Sequence, residues 1–367
     1  MKHMTLFSTI LALATAFTGC GGDDEPDVQP AVSITASVES IAAPAEGGTY
    51  TVNITTTGRE WGAYADQDFV SVETAGSISQ QGTVTVTVAA NPYTEGRTAT
   101  VTIMSADARK HISVTQAAAQ KAAYNAPEGY TLVWHDEFDS GSELNAQDWT
   151  HEVKGSGWVN HELQNYVNHR TPEGQLVTEV RNGHLRITAL KENGMIYSGR
   201  VYAKVKEGWK YGYIEASIKL PKGKGTWPAF WMMPVNFRSW PDDGEIDIME
   251  EVGANPNYVS SSLHAIAHVH SNKTQVTHDM YLAGAEDDFH TYAIEWTAKN
   301  ITTYVDGELQ LSYDNRGLGR DDWPYDDPFY IILNLAWGGD WGGYRGTDEG
   351  ALPATMEVDY VRVFQKK

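Results

Sequence analysis

The chain has 367 residues, 41% of them hydrophobic, and a formal net charge of −21 at pH 7. This length exceeds that of most single domains and predicts two, with enough apolar residues for a large core. Nucleic acids and anionic membrane surfaces attract basic proteins, so the acidic charge argues against both as partners.

The N-terminus has the pattern of a bacterial export signal. A short basic start precedes the apolar run of residues 6–17, which is too short to span a membrane. The run ends in Thr18-Gly19-Cys20, which resembles a lipobox with Cys20 as the lipidated residue. We therefore predict a signal peptide over 1–19 and an acidic tether over 20–30. The alternative is an ordinary cleaved signal with an incidental cysteine.

Cys20 is the only cysteine, so no disulfide is expected within the mature chain. The tether begins Gly21-Gly22-Asp23-Asp24, which resembles the acidic signals that send some lipoproteins to the outer face of the outer membrane. The expected location is therefore a lipid-anchored, cell-surface position on the outer membrane.

Residues 31–118 predict a domain made of short strands. Segments such as 50–54, 83–88 and 99–103 alternate apolar and polar residues, and Gly, Asn and Pro separate them. Several short strands over about 90 residues favour an immunoglobulin-like β-sandwich.

This first domain resembles the BACON module of bacterial surface lipoproteins, through Trp61, Asn91-Pro92, Arg97 and the closing segment 112–116. Phe69 stands where many members have a second Trp, which weakens a carbohydrate-binding role. We predict a spacer that holds the next domain away from the membrane.

An Ala-rich linker over 119–129 leads to a second domain over 130–367. Alternating segments such as 185–189, 213–218 and 356–363 again predict strands, and no long amphipathic helix interrupts them. About 235 residues of this kind predict one large all-β sandwich or jelly roll.

The most informative segment is Glu245-Ile246-Asp247-Ile248-Met249-Glu250. In a strand, Glu245 and Asp247 project to one face, and strict alternation would send Glu250 to the other. One inserted residue, a β-bulge, would return Glu250 to the acidic face, and Met249 is the natural candidate.

Three acids on one face repel each other, so this pattern favours a function over a stabilising role. Retaining glycoside hydrolysis needs one carboxylate as nucleophile and another as proton donor, about 5–5.5 Å apart. The alternative is a solvated acidic strand edge.

The chain from about 131 to 367 resembles glycoside hydrolase family 16, in particular its laminarinase-like branch. The matching motifs surround the acidic strand and recur along the domain: 134–138, 198–200, 211–216, 227–232, 245–250, Leu263-His264 and 334–339. The resemblance implies a concanavalin-like jelly roll whose concave sheet forms a glycan-binding cleft.

The resemblance assigns roles to the three acids. It implies that Glu245 is the nucleophile and Glu250 the general acid/base, with Asp247 hydrogen-bonded to the nucleophile. Because close carboxylates cannot all ionise easily, we expect Glu250 to keep its proton near neutral pH while Glu245 is ionised.

The same resemblance places further residues in the cleft. We expect Trp227 and Trp231 to stack on the apolar faces of sugar rings, which leaves their indole N–H groups able to donate to a hydroxyl, with Trp341 a weaker candidate. Asn160 and Arg200 are the expected polar contacts, and His264 is expected near the catalytic acid, where a purely structural role is equally compatible with the sequence.

Four histidines between 264 and 278 lack the carboxylate–His spacing of metalloenzymes, so we predict no catalytic metal and no other cofactor for catalysis. The resemblance does imply a structural calcium ion, held by positions matching Glu137, the Gly183 backbone and Asp359. The alternative for Asp359 is an ordinary acid at a strand edge.

Together these features predict a monomeric, endo-acting, retaining β-glucanase whose partner is a neutral glucan, β-1,3-linked or mixed β-1,3/1,4-linked. Within the same fold, a xyloglucan, agarose or carrageenan hydrolase remains an alternative, and the acidic charge disfavours sulfated galactans. A non-catalytic glycan-binding protein is a second alternative, which the three intact acids oppose.

Overall fold

The computed structural model describes residues 31–91, 95–119, 126–203 and 208–366. The predicted signal peptide, Cys20 and the tether lie outside these ranges, as does most of the predicted linker. In the described part of the chain, no helix is long and apolar enough to cross a membrane. The chain divides into two compact units, most of the first before Val114 and most of the second after Thr115.

The first part of the chain contains short strands separated by turns: β1 (Ile34–Ala36), β2 (Ser40–Ala43), β3 (Gly48–Thr56), β4 (Gly62–Ala65), β5 (Val70–Ala75), β6 (Gln81–Val88), β7 (Arg97–Ser105) and β8 (Ala108–Gln116). They form two four-stranded sheets, in the orders β1-β3-β6-β5 and β2-β8-β7-β4. Alternate residues such as Val52, Ile54, Val101 and Ile103 are buried. This is the predicted sandwich, in which the longer strands bury one face.

The rest of the chain is also nearly all strand: β9 (Tyr130–Asp136), β10 (Trp149–His151), β11 (Gln164–Tyr166), β12 (Thr178–Arg181), β13 (His184–Glu192), β14 (Met195–Ser198), β15 (Arg200–Ala203), β16 (Gly212–Lys219), β17 (Thr226–Pro234), β18 (Glu245–Glu250), β19 (Tyr258–His264), β20 (Val276–Tyr281), β21 (His290–Trp296), β22 (Asn300–Val305), β23 (Glu308–Asp314), β24 (Phe329–Trp337) and β25 (Ala354–Lys366). Short helical turns occur at His270–Asn272, Gly339–Gly342 and Glu349–Ala351.

These strands form two large sheets. A seven-stranded sheet has the order β10-β15-β24-β17-β18-β19-β20. A ten-stranded sheet has the path β11-β14-β13-β25-β16-β21-β22-β23, with β12 paired to β13 and β9 to β25. One hydrophobic core draws on both sheets, with Phe230 and Ile246 from the first and Ile214 and Val361 from the second. The predicted all-β sandwich is confirmed.

The acidic strand β18 lies inside the seven-stranded sheet, between β17 and β19. Ile246, Ile248 and Met249 enter the core, whereas Glu245 and Glu250 are half-buried. The apolar side chains therefore hold the strand in place, and the carboxyl groups lie on the opposite face of the sheet.

Candidate active site

A β-bulge interrupts β18, as its sequence predicts. Across β17, Asp247 pairs with Trp231 and Met249 with Phe230, so Ile248 has no opposite residue. Across β19, the register shifts between Asp247 and Glu250. The bulge is confirmed, but the unpaired residue beside β17 is Ile248 rather than Met249. Both side chains enter the core, because a bulge directs two successive residues to similar sides of the strand.

The three acids, called here the acid cluster (Glu245, Asp247 and Glu250), differ in their partners. Trp240 donates its indole N–H to Oε2 of Glu245 at 2.6 Å, and Trp227 donates its N–H to Oε1 of Glu250 at 2.9 Å. Asp247 is only 2% exposed. Each outer carboxylate therefore has an indole donor, and the middle one is enclosed.

Burial dominates the protonation of the acid cluster. It raises the pKa of Glu245 to about 8 and that of Asp247 to about 7, with the Asp247 charge adding to the rise at Glu245. Burial, and then the Asp247 charge, hold the pKa of Glu250 well above its usual value. Glu250 is thus suited to carry a proton at neutral pH. The expectation that Glu245 is ionised near neutral pH is not met in the free site, because burial and the Asp247 charge raise its pKa above neutrality, and the nearby His264 and the Trp240 N–H only partly offset this rise.

His264 lies beside Asp247. In the sheet register it is opposite Glu245, and its Nε2 is 3.1 Å from Oδ2 of Asp247. That oxygen nevertheless has no hydrogen-bond partner among the described residues, and neither has Nδ1 of His264. The sequence predicted His264 near the catalytic acid. The structure places it opposite Glu245, where a positive charge on the ring would lower the pKa of Glu245 and also that of Glu250.

Trp227 and Trp231 share one face of β17, as predicted, and both are half-buried. Their N–H groups are engaged by the protein: that of Trp227 by Glu250, and that of Trp231 by Oδ1 of Asn334 at 2.7 Å. Donation from these groups to a sugar hydroxyl would therefore have to replace or share these contacts. Trp341 packs edge-on against Trp227 with ring centroids 5.3 Å apart, so it supports that ring.

Arg200 occupies a buried position at one end of the sheet face. It is 7% exposed, donates from Nε to Glu152 at 2.7 Å, and has its guanidinium carbon 4.6 Å from the centre of the Trp231 ring. The ring of Trp158, which is 41% exposed, has its centre 5.1 Å from the same guanidinium carbon. Arg200 thus orders two aromatic rings that can stack on sugars.

A chain of hydrogen bonds extends from Trp231 into the interior. Asn334 donates to the hydroxyl of Tyr166 at 3.2 Å, and that hydroxyl donates to Oε2 of Glu162 at 3.4 Å. Asn160 donates to the other oxygen of Glu162 at 3.3 Å, which ties this predicted subsite residue to the same group. We call Arg200, Trp231, Asn334, Tyr166 and Glu162 the Arg200 network.

The turn before β18 fixes both the strand and Trp240. Asp243 is buried and accepts hydrogen bonds from the backbone N–H of Arg238 and from the guanidinium groups of Arg238 and Arg320, which hold the pKa of its carboxyl well below the usual range. Gly244 has φ of 86°, and a Cβ there would lie 2.8 Å from Pro324. This turn therefore requires glycine at position 244.

Sequence reasoning missed Trp240, which contacts Glu245, and did not single out Asn334 and Glu162 as site residues. The signal for Trp240 was an aromatic residue just before the acidic strand. The contact itself depends on the path of the turn, which the spacing does not reveal.

The predicted calcium ligands have other partners in the structure. Arg362 donates from Nε and Nη2 to the two oxygens of Glu137 at 2.9 and 2.8 Å. Oδ1 of Asp359 lies 3.5 Å from Nε2 of His184. A carboxylate gripped at both oxygens by a guanidinium does not fit a calcium ligand, so the Glu137 side chain is a poor candidate.

One other group of side chains could hold a metal ion. Among the described residues, ligand atoms of Glu245, Asp247 and His264 all lie within 4.8 Å of one another. The sequence did not predict this group, because the register of β18 against β19 is what brings His264 to the acids.

Residues 164–362, more than half of the chain, match the family model described as glycosyl hydrolases family 16, and the chain belongs to this family. Residues 59–117 match the BACON model, described as an N-terminal binding domain. Both predicted resemblances are confirmed.

Relatives of known structure and activity are similar over the second domain. A β-glucanase from Rhodothermus marinus is 42% identical over 248 residues, covering 64% of this chain and 85% of the relative. The X-ray structure of the laminarinase from Rhodothermus marinus matches with a TM-score of 0.61 at 41% identity, covering 64% of this chain and 97% of that one. SCLam, described as a non-specific endo-β-1,3(4)-glucanase, matches with a TM-score of 0.62 at 40% identity, covering 66% and 94%.

Proposed function

We propose that the protein is an endo-acting, retaining β-glucanase that hydrolyses β-1,3-glucan, mixed-linkage β-1,3/1,4-glucan, or both. The observation that carries the proposal is the bulged strand β18, which sets Glu245 and Glu250 on either side of Asp247 on one face of the sheet. Membership of family 16 and the glucanases among the relatives support it.

The reaction uses the state of the acid cluster in which Glu250 carries a proton and Glu245 is ionised, a state that the Trp240 N–H favours by donating to Glu245. Glu250 donates its proton to the leaving glycosidic oxygen while Glu245, as carboxylate, attacks the anomeric carbon, and a glycosyl ester forms on Glu245. Glu250, now a carboxylate, takes a proton from water, which attacks the same carbon and releases Glu245. Two successive inversions at this carbon give net retention.

Each indole contact serves one of these states. The Trp240 N–H stabilises the charge on Glu245 before attack, and the Trp227 N–H stabilises the charge that Glu250 acquires after protonating the leaving group. Asp247 opposes both charges, so its negative charge is a means of keeping Glu250 protonated.

Product profiling tests the substrate class. The purified protein is incubated with laminarin, barley β-glucan, xyloglucan and agarose, and the early products are separated by size. We expect several oligosaccharide lengths at once from laminarin or barley β-glucan, as endo cleavage requires. Activity confined to xyloglucan or agarose would contradict the proposal, and binding without cleavage would favour the non-catalytic alternative.

We also propose lipid anchoring through Cys20 at the outer-membrane surface, with residues 31–118 as a spacer, because the lipobox-like segment contains the sole cysteine. Replacing Cys20 with Ser should move the protein from the membrane to the soluble fraction of cells. Unchanged membrane retention would contradict the proposal. Protease accessibility of intact cells would separate surface from periplasmic orientation.

We also propose a structural calcium ion held by the backbone carbonyl at Gly183 and by Asp359, since Arg362 engages the Glu137 carboxylate. EDTA should lower the melting temperature, and added Ca²⁺ should restore it. No change with EDTA would rule out a stabilising ion.

A further inference from the structure

We propose that Glu245, Asp247 and His264 form a zinc-binding site, at which Zn²⁺ reversibly blocks the nucleophile. The inhibitory consequence rests on the proposed function, whereas the binding itself does not. This is a regulatory or inhibitory site, distinct from a catalytic metal.

The ligand set is the first argument. Two carboxylate oxygens and one imidazole nitrogen lie within 4.8 Å of one another. Zinc is held in proteins by His nitrogen and Asp or Glu oxygen, and a three-ligand site of this kind leaves one position for water. Imidazole suits Zn²⁺ and Cu²⁺, whereas Ca²⁺ and Mg²⁺ prefer sites made of oxygen alone.

The second argument is a buried atom that lacks a partner. Oδ2 of Asp247, on a side chain nearly excluded from solvent, has no hydrogen-bond partner among the described residues although Nε2 of His264 lies 3.1 Å away. A buried oxygen without a partner costs free energy. Ligands around a tetrahedral Zn²⁺ with bonds near 2.0–2.1 Å are about 3.3 Å apart, so this pair is already at the spacing of two ligands.

The third argument is the position of the His264 ring. Nε2 lies 3.1 Å from Oδ2 of Asp247, and the buried Nδ1 has no hydrogen-bond partner in the described structure, so the ring can hold its proton on Nδ1 when an ion replaces the proton at Nε2. Nε2 can therefore present its lone pair to an ion. Glu245 has one oxygen bound by Trp240, which leaves the other to face Asp247 and the ion.

Zn²⁺ bound at this site would block hydrolysis by occupying the nucleophile. The oxygen that attacks the anomeric carbon would be bound to Zn²⁺, and its lone pair would no longer be available. Because Glu245 must be free to contact the anomeric carbon, zinc bound to Glu245 and glucan should compete. No covalent step is involved, and chelation should restore activity.

The test uses the full-length protein and ZnCl₂, with two readouts. Initial rates on laminarin are measured with increasing Zn²⁺, followed by EDTA. Zinc-edge anomalous diffraction from crystals soaked in ZnCl₂ locates the ion without any substrate. We expect reversible inhibition that is competitive with glucan, and an anomalous peak bounded by the three ligands.

The decisive variant is His264→Ala, with His270→Ala as the matched control. The ring of His270 is 6.0 Å from that of His264 and exposed, and the site does not use it. We expect His264→Ala to weaken zinc affinity at least tenfold by calorimetry, and His270→Ala to leave it within twofold. If His264→Ala does not fold by circular dichroism, Asp247→Asn replaces it with the same expectation.

Wild-type zinc affinity in a folded His264→Ala variant, or an anomalous peak only elsewhere, would overturn the proposal. The outcomes also separate the two proposals. Hydrolysis that is insensitive to zinc would overturn the zinc site and leave the glucanase function intact. Zinc bound at the three ligands in a protein that hydrolyses no glucan would overturn the function and not the site.

Discussion

The acid cluster lies on β18, and Trp231 of the Arg200 network lies on the neighbouring strand β17, yet the polar atoms of the two regions differ in how fully they are hydrogen-bonded. In the Arg200 network, Trp231, Asn334 and Tyr166 each donate to a defined acceptor, in a line that ends at Glu162. In the acid cluster, burial raises the pKa of every carboxyl group, and an oxygen of Asp247 has no hydrogen-bond partner in the described structure.

This difference indicates that the Arg200 network positions the substrate and that the acid cluster carries out the proton transfer. A satisfied network holds aromatic rings in one geometry, which suits the binding of substrate. A group of buried carboxyls with few partners retains protons at neutral pH and favours a change of charge, which suits proton transfer. Substitutions in the two regions should therefore change different kinetic parameters, kcat for the acid cluster and KM for the Arg200 network.

The largest expected effect is at the outer acids. Glu245→Gln and Glu250→Gln should each lower kcat by at least about a thousandfold, because one removes the nucleophile and the other the proton donor. Both variants should remain folded, since neither side chain is in the core. The measurement is laminarin hydrolysis by reducing-end assay, with Glu308→Gln on the exposed edge of β23 as the control.

A variant with a small side chain at position 245 tests the nucleophile assignment more directly. In Glu245→Gly, azide should partly restore cleavage by attacking the anomeric carbon from the vacated site. Turnover near that of the wild type in either Gln variant would contradict the division between the two regions, because hydrolysis would then not depend on the acid cluster.

The next effect is a displaced pH profile in Asp247→Asn. The charge of Asp247 raises the pKa of both Glu245 and Glu250, so its removal lowers both. Activity requires Glu245 deprotonated and Glu250 protonated, so the acidic and basic limbs of kcat/KM should both move to lower pH. We expect kcat at the optimum to fall about tenfold or more. If the two limbs of the kcat/KM profile stay at the wild-type pH values, the charge of Asp247 does not influence the pKa of Glu245 and Glu250.

A smaller effect, on KM rather than kcat, is expected for Asn334→Ala. This change removes the acceptor for the Trp231 N–H and the donor to Tyr166, so the Trp231 ring loses its fixed orientation. We expect KM for laminarin to rise roughly tenfold, worth about 1.4 kcal/mol, with kcat within a few-fold. The control is Asn272→Ala on an exposed turn. A fall in kcat with KM unchanged would contradict the division between the two regions.

The smallest effect on activity is expected at Glu251, next to Glu250 but buried on the core side with 0% exposure. Oε1 accepts from the backbone N–H of Asn257 at 2.7 Å, Oε2 has no partner in the described part of the chain, and burial, with a contribution from Glu286, raises the pKa to about 8. Because the folded pKa exceeds the usual value of 4.5, the folded state favours the protonated acid, and stability should fall as pH rises from about 4.5 through 8.

Glu251→Gln removes this titration and keeps an acceptor for Asn257. The variant should match the wild type in stability near pH 4.5. Above pH 8 it should have the higher melting temperature, with an unfolding free energy larger by up to about 5 kcal/mol. Thermal unfolding at both pH values is the measurement. Equal stability of the variant and the wild type at pH 9 would show that ionisation of Glu251 does not destabilise the folded protein.

Much of the fold and the central strand could be predicted because β-structure has a period of two. The spacing of Glu245 and Glu250 is odd, so the bulge was predictable, and Trp227 and Trp231 had to share a face. The unpaired residue was not predictable, because Ile248 and Met249 are both apolar and both suit the core. The contacts of Trp240 and His264 depend on a turn and on the register of β18 with β19, which leave no periodic signal.

The most direct test of the account is the stereochemistry of the first product. Proton NMR follows the anomeric signals during the first minutes of laminarin or barley β-glucan hydrolysis, before mutarotation equilibrates them. Glu245 as nucleophile with Glu250 as acid/base predicts the β-anomer first, with the α-anomer appearing only later. An α-anomer as the first product would require direct attack by water and would contradict the proposed mechanism.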